Sequence, residues 1–172
     1  MLGEGVDVGW RQERDELGRR LEALRRQGIC YQCYNAETGG SLFGHEHITY
    51  EDHSFTVVLE PYPRTRGHTI VVYKPHREDI SQLTEDEAGK LFVLCVRMVK
   101  AMKAGLGADK VYLNTMCDGG MNHLHVQLLP RYAGDKTGAT LFVAPRGPLV
   151  DGGVIASRIR SALMPAPENT PP

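Results

Sequence analysis

Apolar positions in this chain change their period several times, and each change marks a predicted element. Across residues 8–27, Leu17, Leu21 and Leu24 recur at i, i+4 and i+7 among charged residues. That spacing predicts an amphipathic surface helix docked by a thin leucine stripe, with Gly28 closing its C-terminus. Its sequence carries no evident chemistry. From Ile29 the texture turns polar and Gly-rich, beginning at Cys30-Tyr-Gln-Cys33 and ending near Phe43. Three runs rich in β-branched and aromatic residues follow: His47–Tyr50, Phe55–Leu59 and His68–Tyr73. Their short connections predict an antiparallel meander, because parallel crossovers need a dozen or more residues.

Thr84-Glu-Asp-Glu87 has the form of a capping box, with Thr84 as N-cap and Glu87 at N3. Leu91, Cys95, Met98, Val99 and Met102 then form one helical face, and Gly105 is the expected stop. Val111–Asn114 and His123–Leu129 read as strands, and 152–163 as a second helix. The Pro-rich stretch after Met164 predicts a disordered tail.

Length and composition narrow the class. The 172 residues suit one domain with a core of its own, and 41% hydrophobic with 24% charged residues is ordinary globular composition. Twenty basic residues against 21 acidic ones give a net charge of −1, so the chain has no general electrostatic grip on nucleic acid. No leader-like or bilayer-length apolar run is present, which makes a cytoplasmic protein, off the membrane, the expectation. Four cysteines are too few for a disulfide scaffold at this length.

The candidate chemistry lies at 123–129. Strand alternation puts His123, His125 and Gln127 on one face and Leu124, Val126 and Leu128 on the other. Two imidazoles and an amide in a row suit work on a phosphate, since a neutral imidazole can attack phosphorus. The preceding Gly119-Gly120 lets backbone amides approach an anion. Two histidines on an ordinary half-exposed strand are the competing reading. Cys30-x-x-Cys33 alone is compatible with a metal site, a reduced dithiol or a redox pair. His45, His47, His53 and His68 read as surface or packing residues, Cys95 as core, and Cys117 is open.

Gly119-Gly-Met-Asn-His-Leu-His-Val-Gln-Leu-Leu-Pro-Arg-Tyr132 resembles the signature of the histidine triad (HIT) superfamily, His-φ-His-φ-His-φ-φ with φ apolar. Cys30-x-x-Cys33, Tyr50-Glu-Asp52, Gly67–His76 and the Leu83-Thr-Glu-Asp-Glu helix start follow in family order, so the resemblance covers roughly residues 29–133. It implies an α+β domain with an antiparallel sheet of about five strands, a long helix and a C-terminal helix, usually a homodimer. The 8–27 helix is then an addition. The implied organisation is an N-terminal extension (1–28), a HIT domain (29–135), a C-terminal segment with a helix (136–164) and a tail (165–172).

The third triad position is Gln127, as in galactose-1-phosphate uridylyltransferases and some dinucleoside-tetraphosphate phosphorylases. The resemblance therefore implies a nucleotidyltransferase acting at an α-phosphate. The alternatives are a HIT-type hydrolase of dinucleoside polyphosphates or nucleoside phosphoramidates, and a nucleotide-binding module recruited to other chemistry. It further implies His125 as nucleophile and Gln127 as a phosphoryl-oxygen donor. Glu60 would bind ribose, Asn114 would lie beside the phosphate, and Asn122 with the Gly119 and Gly120 amides would complete the anion site. A structural zinc is implied on Cys30, Cys33, His76 and His123, a donor set suited to tetrahedral Zn(II).

Overall fold

The β-branched runs pair into one sheet. The computed structural model describes residues 6–38, 47–117 and 121–163. Its strands are β1 (Ile48–Glu51), β2 (Phe55–Leu59), β3 (Thr69–Tyr73), β4 (Lys110–Asn114) and β5 (His125–Arg131), and its helices are α1 (Val6–Arg26), α2 (Tyr31–Thr38), α3 (Glu85–Leu106), α4 (Ala139–Phe142) and α5 (Gly152–Leu163). The sheet order is β1-β2-β3-β5-β4, and all four pairings are antiparallel. The predicted five-stranded α+β fold is the observed one.

Cross-strand register sorts the side chains into two faces. Phe55 lies opposite Tyr73, Val57 opposite Val71, and Val71 opposite Val126. These residues form the core with Leu94, Met98 and Met102 of α3 and Ile155 and Ile159 of α5. Each fully buried side chain of this kind contributes roughly 1.5–3 kcal/mol. The alternate residues build two rows on the other face. One runs Glu51–Thr56–Val72–His125 and the other Val58–Ile70–Gln127–Asn114.

Helix α3 begins with the predicted capping box: Thr84 Oγ1 accepts from Glu87 N–H, and Glu87 Oε2 accepts from Thr84 N–H at 2.8 Å. It does not stop at Gly105. The helix runs to Leu106 and ends at Gly107, whose φ of 73° is the left-handed cap. Gly105 has a different purpose, since a Cβ there would stand 2.6 Å from the Arg158 carbonyl of α5. The glycine lets the two helices cross closely.

Within the polar stretch after Ile29, residues 31–38 form helix α2. One other expectation changes. The strand expected over 123–129 begins at His125 and continues through Pro130 to Arg131. Leu124 N–H is drawn instead to the Arg77 carbonyl (2.7 Å), and Pro130 is tolerated because β3 leaves the ladder at Leu128, so β5 has a single neighbour there. Helix α1 closes as expected at Gly28, with φ 70° and Ile29 N–H bonded to the Leu24 carbonyl. The stretch from 39 to Phe43, His45, Gly119, Gly120 and the tail from Met164 lie outside the described residues. No helix among those described is long and apolar enough to cross a membrane.

Candidate active site and metal centre

The second sheet face floors a cavity of about 600 Å3. Val58, Ile70 and Val72 make its apolar base, and His125 and Gln127 stand at one side with Glu60 at the end of β2. Strand alternation alone therefore delivers three sequence-predicted residues into one space. Asn114 sits opposite Gln127 across the β4–β5 pair. Asn122 lines a smaller cavity that also contains His125.

The His125 ring is oriented by its own strand. Its Nδ1 lies 2.9 Å from the His123 carbonyl oxygen. A carbonyl only accepts, so Nδ1 carries the proton and Nε2 of the neutral ring carries the lone pair. His123 is arranged the other way round: its Nε2–H donates to the Tyr73 carbonyl at 2.6 Å, leaving the Nδ1 lone pair beside Cys30 Sγ (3.3 Å) and Cys33 Sγ (3.8 Å).

That lone pair completes a cluster. One donor atom from each of Cys30, Cys33, His76 and His123 lies within 4.8 Å of all the others. His76 Nδ1 is 3.4 Å from Cys33 Sγ. Ligands of a tetrahedral zinc, with bonds of about 2.0–2.3 Å, stand roughly 3.3–3.8 Å apart, so the observed spacings fit the ion with little movement. Burial and the neighbouring Cys30 push the Cys33 thiol up to about 11. A bound divalent cation reverses such a shift by favouring the thiolates. Burial lowers the His123 pKa, which keeps its ring neutral as a ligand must be. The four sequence-predicted ligands are thus together, on α2, the end of β3 and the entry to β5.

Glu60 is not the solvated turn carboxylate that its loop position allows. Its Oε1 pairs with Arg146 Nη1 at 2.9 Å and accepts from Tyr62 N–H at 3.4 Å. Burial raises its pKa, and the Arg146 guanidinium opposes that rise. Arg146 also donates to the Tyr62 carbonyl (2.8 Å), tying the segment after α4 to the end of β2. Periodicity gives no hint of Arg146, which lies in Ala144-Pro-Arg-Gly-Pro148, a stretch with neither helical nor strand pattern.

Other residues of the site were also missed. Tyr31, Gln32 and Asn35 of α2 line the larger cavity, as does His47, whose ring packs against Gly152. His68, expected at the surface or in simple packing, has no exposed area. Its Nδ1 accepts from Arg64 N–H at 3.4 Å, and its buried Nε2 has no hydrogen-bond partner although the Gln127 amide is adjacent. Burial, reinforced by Arg146 and Arg64, pushes its pKa down to about 3. Cys95 is in the core as expected, and Cys117 Sγ lies 3.6 Å from Thr115 Oγ1.

Comparison with known proteins finds relatives that share the sequence family and the fold. An uncharacterized HIT-like protein of Methanocaldococcus jannaschii is 32% identical over 91 residues, covering 51% of this chain and 70% of that one. The chain spans 63% to 70% of the length of the curated relatives it matches first. A zinc-bound histidine triad family protein from Mycobacterium smegmatis superposes with a TM-score of 0.63 at 26% identity, covering 78% of this chain and 92% of that one. A uridylyltransferase shares the fold, with a TM-score of 0.63 at 20% identity over 88% of this chain and half of its own. The model of the HIT domain matches residues 44–134, more than half of the 172 residues, and the chain belongs to that family.

Proposed function

We propose that this protein is a nucleotidyltransferase that works through a covalent nucleotidyl-His125. The observation that carries the reading is the tautomer of His125: Nδ1–H is held by the His123 carbonyl, so the Nε2 lone pair is the free, basic end of a ring that lines the cavity. The nucleoside lies on the apolar floor of Val58, Ile70 and Val72, with Glu60 as acceptor for the ribose hydroxyls. Nε2 attacks the α-phosphorus; the Nε2–P bond forms as the P–O bond to the leaving group breaks and its electron pair departs with that group. The imidazolium so formed keeps its Nδ1 proton on the His123 carbonyl. Gln127 donates to a non-bridging oxygen, with Asn114 and Asn122 beside the phosphate. In the second step an acceptor oxygen bonds to phosphorus, and the Nε2–P pair returns to the ring.

Gln127 favours transfer over hydrolysis. An attacking water must lose a proton, and an amide cannot take one. An anionic phosphate oxygen has none to lose. Cys30, Cys33, His76 and His123 would hold a structural zinc, as the zinc-bound relative and the donor set suggest. When bound, that ion supplies structural order: it fixes His123, whose carbonyl orients the nucleophile.

Incubation with a nucleoside 5′-phosphorimidazolide should add one nucleoside monophosphate to His125, in an acid-labile bond located by peptide mass spectrometry. His125→Ala should abolish it. Phosphate should discharge the wild-type adduct faster than water, and Gln127→His should raise the water rate at least severalfold. Full turnover in His125→Ala would sink the mechanism. Equal discharge by water and by every acceptor would instead favour the hydrolase.

A further inference from the structure

Where the larger cavity ends at His125, a second one of about 280 Å3 begins. Tyr31, Gln32, His123 and His125 line both, so the imidazole stands at their boundary. The smaller cavity draws Leu21 and Arg25 from α1 and Met116 and Asn122 from the segment that leads to β5. Arg25 is its cationic side chain. The only ion pair described for it is with Glu22 Oε2, at 3.6 Å, with both side chains about half exposed (52% and 46%). Such a pair is weak and readily exchanged.

Helix α1 lies outside residues 44–134, the span matched by the family model. It is nevertheless tied to the site at two places. Trp10 stacks on Tyr62, two residues from Glu60, with ring centroids 6.1 Å apart. Three turns or more further on, Leu21 and Arg25 line the smaller cavity together with His125. The helix that the sequence presents as a plain surface element therefore runs along the rim of the candidate active site.

We propose that the smaller cavity is the seat of the phosphate-bearing group exchanged at His125, leaving group in the first step and acceptor in the second, and that Arg25 grips its oxygens. This rests on the nucleotidyl-transfer reading for its place in the reaction, though not for the binding itself. A phosphorus bonded to Nε2 has its nucleoside in the larger cavity. The partner it gains or loses lies in line with Nε2 on the far side of phosphorus, so it needs space apart from the nucleoside's but beside the same phosphorus. The smaller cavity is that space. A guanidinium matches phosphate oxygens with paired donors and a fixed charge, and Gln32 and Asn122 add amide donors from two sides. An acceptor held there arrives as an anion, which suits a site whose third triad residue is an amide. The expected ligand class is inorganic phosphate or the terminal phosphates of a polyphosphate chain.

Inorganic pyrophosphate is a suitable probe, because its binding needs no covalent step. Calorimetric titration of the wild-type chain should show one site, and Arg25→Gln should weaken it about tenfold. Arg26→Gln, the same charge change on the adjacent residue outside the cavity, should leave affinity unchanged. Leu21→Trp, which fills the cavity and keeps the charge, should weaken binding as Arg25→Gln does. His125→Ala should still bind. With the His125 adduct formed from the phosphorimidazolide, Arg25→Gln should need about tenfold more phosphate for half-maximal discharge. Circular dichroism should show α1 intact, since Arg25 is half exposed and its ion pair with Glu22 is weak. Absence of pyrophosphate binding to the wild type, or equal binding by Arg25→Gln, overturns the proposal. Arg25-dependent binding without any adduct upholds the cavity and removes the transfer mechanism instead.

Discussion

Two histidines two residues apart serve opposite ends of their rings, and the difference comes from which carbonyl each one meets. His123 gives its Nε2 proton to Tyr73 and turns Nδ1 to the thiols, whereas His125 gives its Nδ1 proton to His123 and keeps Nε2 free. A third histidine, His68, is held neutral for another reason. Burial and the nearby Arg146 and Arg64 charges push its pKa down to about 3, while the Gln127 amide pulls the other way. In the unfolded chain the same ring titrates near ~6.5. Between those values the unfolded state binds a proton that the folded state does not, so stability rises with pH across that window. The contribution is complete above about pH 6.5 and is lost progressively as pH falls toward 3. His68→Asn should flatten that part of the stability profile, measured by urea unfolding at several pH values. Its own cavity cost should lower stability at pH 7 without changing the zinc content. An unchanged slope between pH 6.5 and 4 would show that His68 is not the titrating group.

At the scale of elements, the metal cluster joins pieces that have little else in common. Cys30 and Cys33 come from the start of α2, His76 from just after β3, and His123 from the approach to β5. The same neighbourhood is tied to α3, because Glu87 of its capping box also accepts from Tyr73 O–H (2.6 Å) and Arg77 (2.9 Å). Purified protein is expected to hold about one zinc per chain. Cys33→Ser or a strong chelator should remove it and lower Tm, with α2 losing its anchor first; a metal-free wild type with an unchanged melting curve would contradict this. The strands and the capping box were legible because each has a local signature, alternation and the Thr84–Glu87 spacing; of the cluster only Cys30-x-x-Cys33 has one, itself ambiguous, and His76 and His123 came from the family resemblance. Helix α2 was not legible, since it buries no residue and carries no apolar stripe. Its place follows from its neighbours rather than from its own pattern. Gly105 misled for a related reason, because a glycine that admits a second helix and a glycine that ends one look alike in sequence. Arg146 and Arg25 became visible only once distant segments were folded against β2 and β5.

At the scale of the whole molecule, two surfaces stand open among the described residues. Strand β4 is a sheet edge, and α3 presents Phe92, Val93 and Val96 outward, with Phe92 65% exposed. Leu113 and Met116 are exposed beside that edge. Apolar residues grouped in this way are typical of interaction surfaces, and we propose that they join two copies of the chain, as the family resemblance implies. Light scattering at micromolar concentration should report a dimer, and Phe92→Asp should shift it to monomer without unfolding it. A monomeric wild type would exclude the pairing. Helix α1 has a further consequence for the order in which the molecule is completed. Its ion pairs, Glu16 with Arg19 and Glu22 with Arg26, are internal, so it can coil as soon as it leaves the ribosome. Tyr62, which meets Trp10, and Met116 and Asn122, which share the smaller cavity with Leu21 and Arg25, are made about 50 to 100 residues later. Helix α1 can thus form before the segments that share the smaller cavity with it exist, and it walls the entrance to the nucleophile only once they are made.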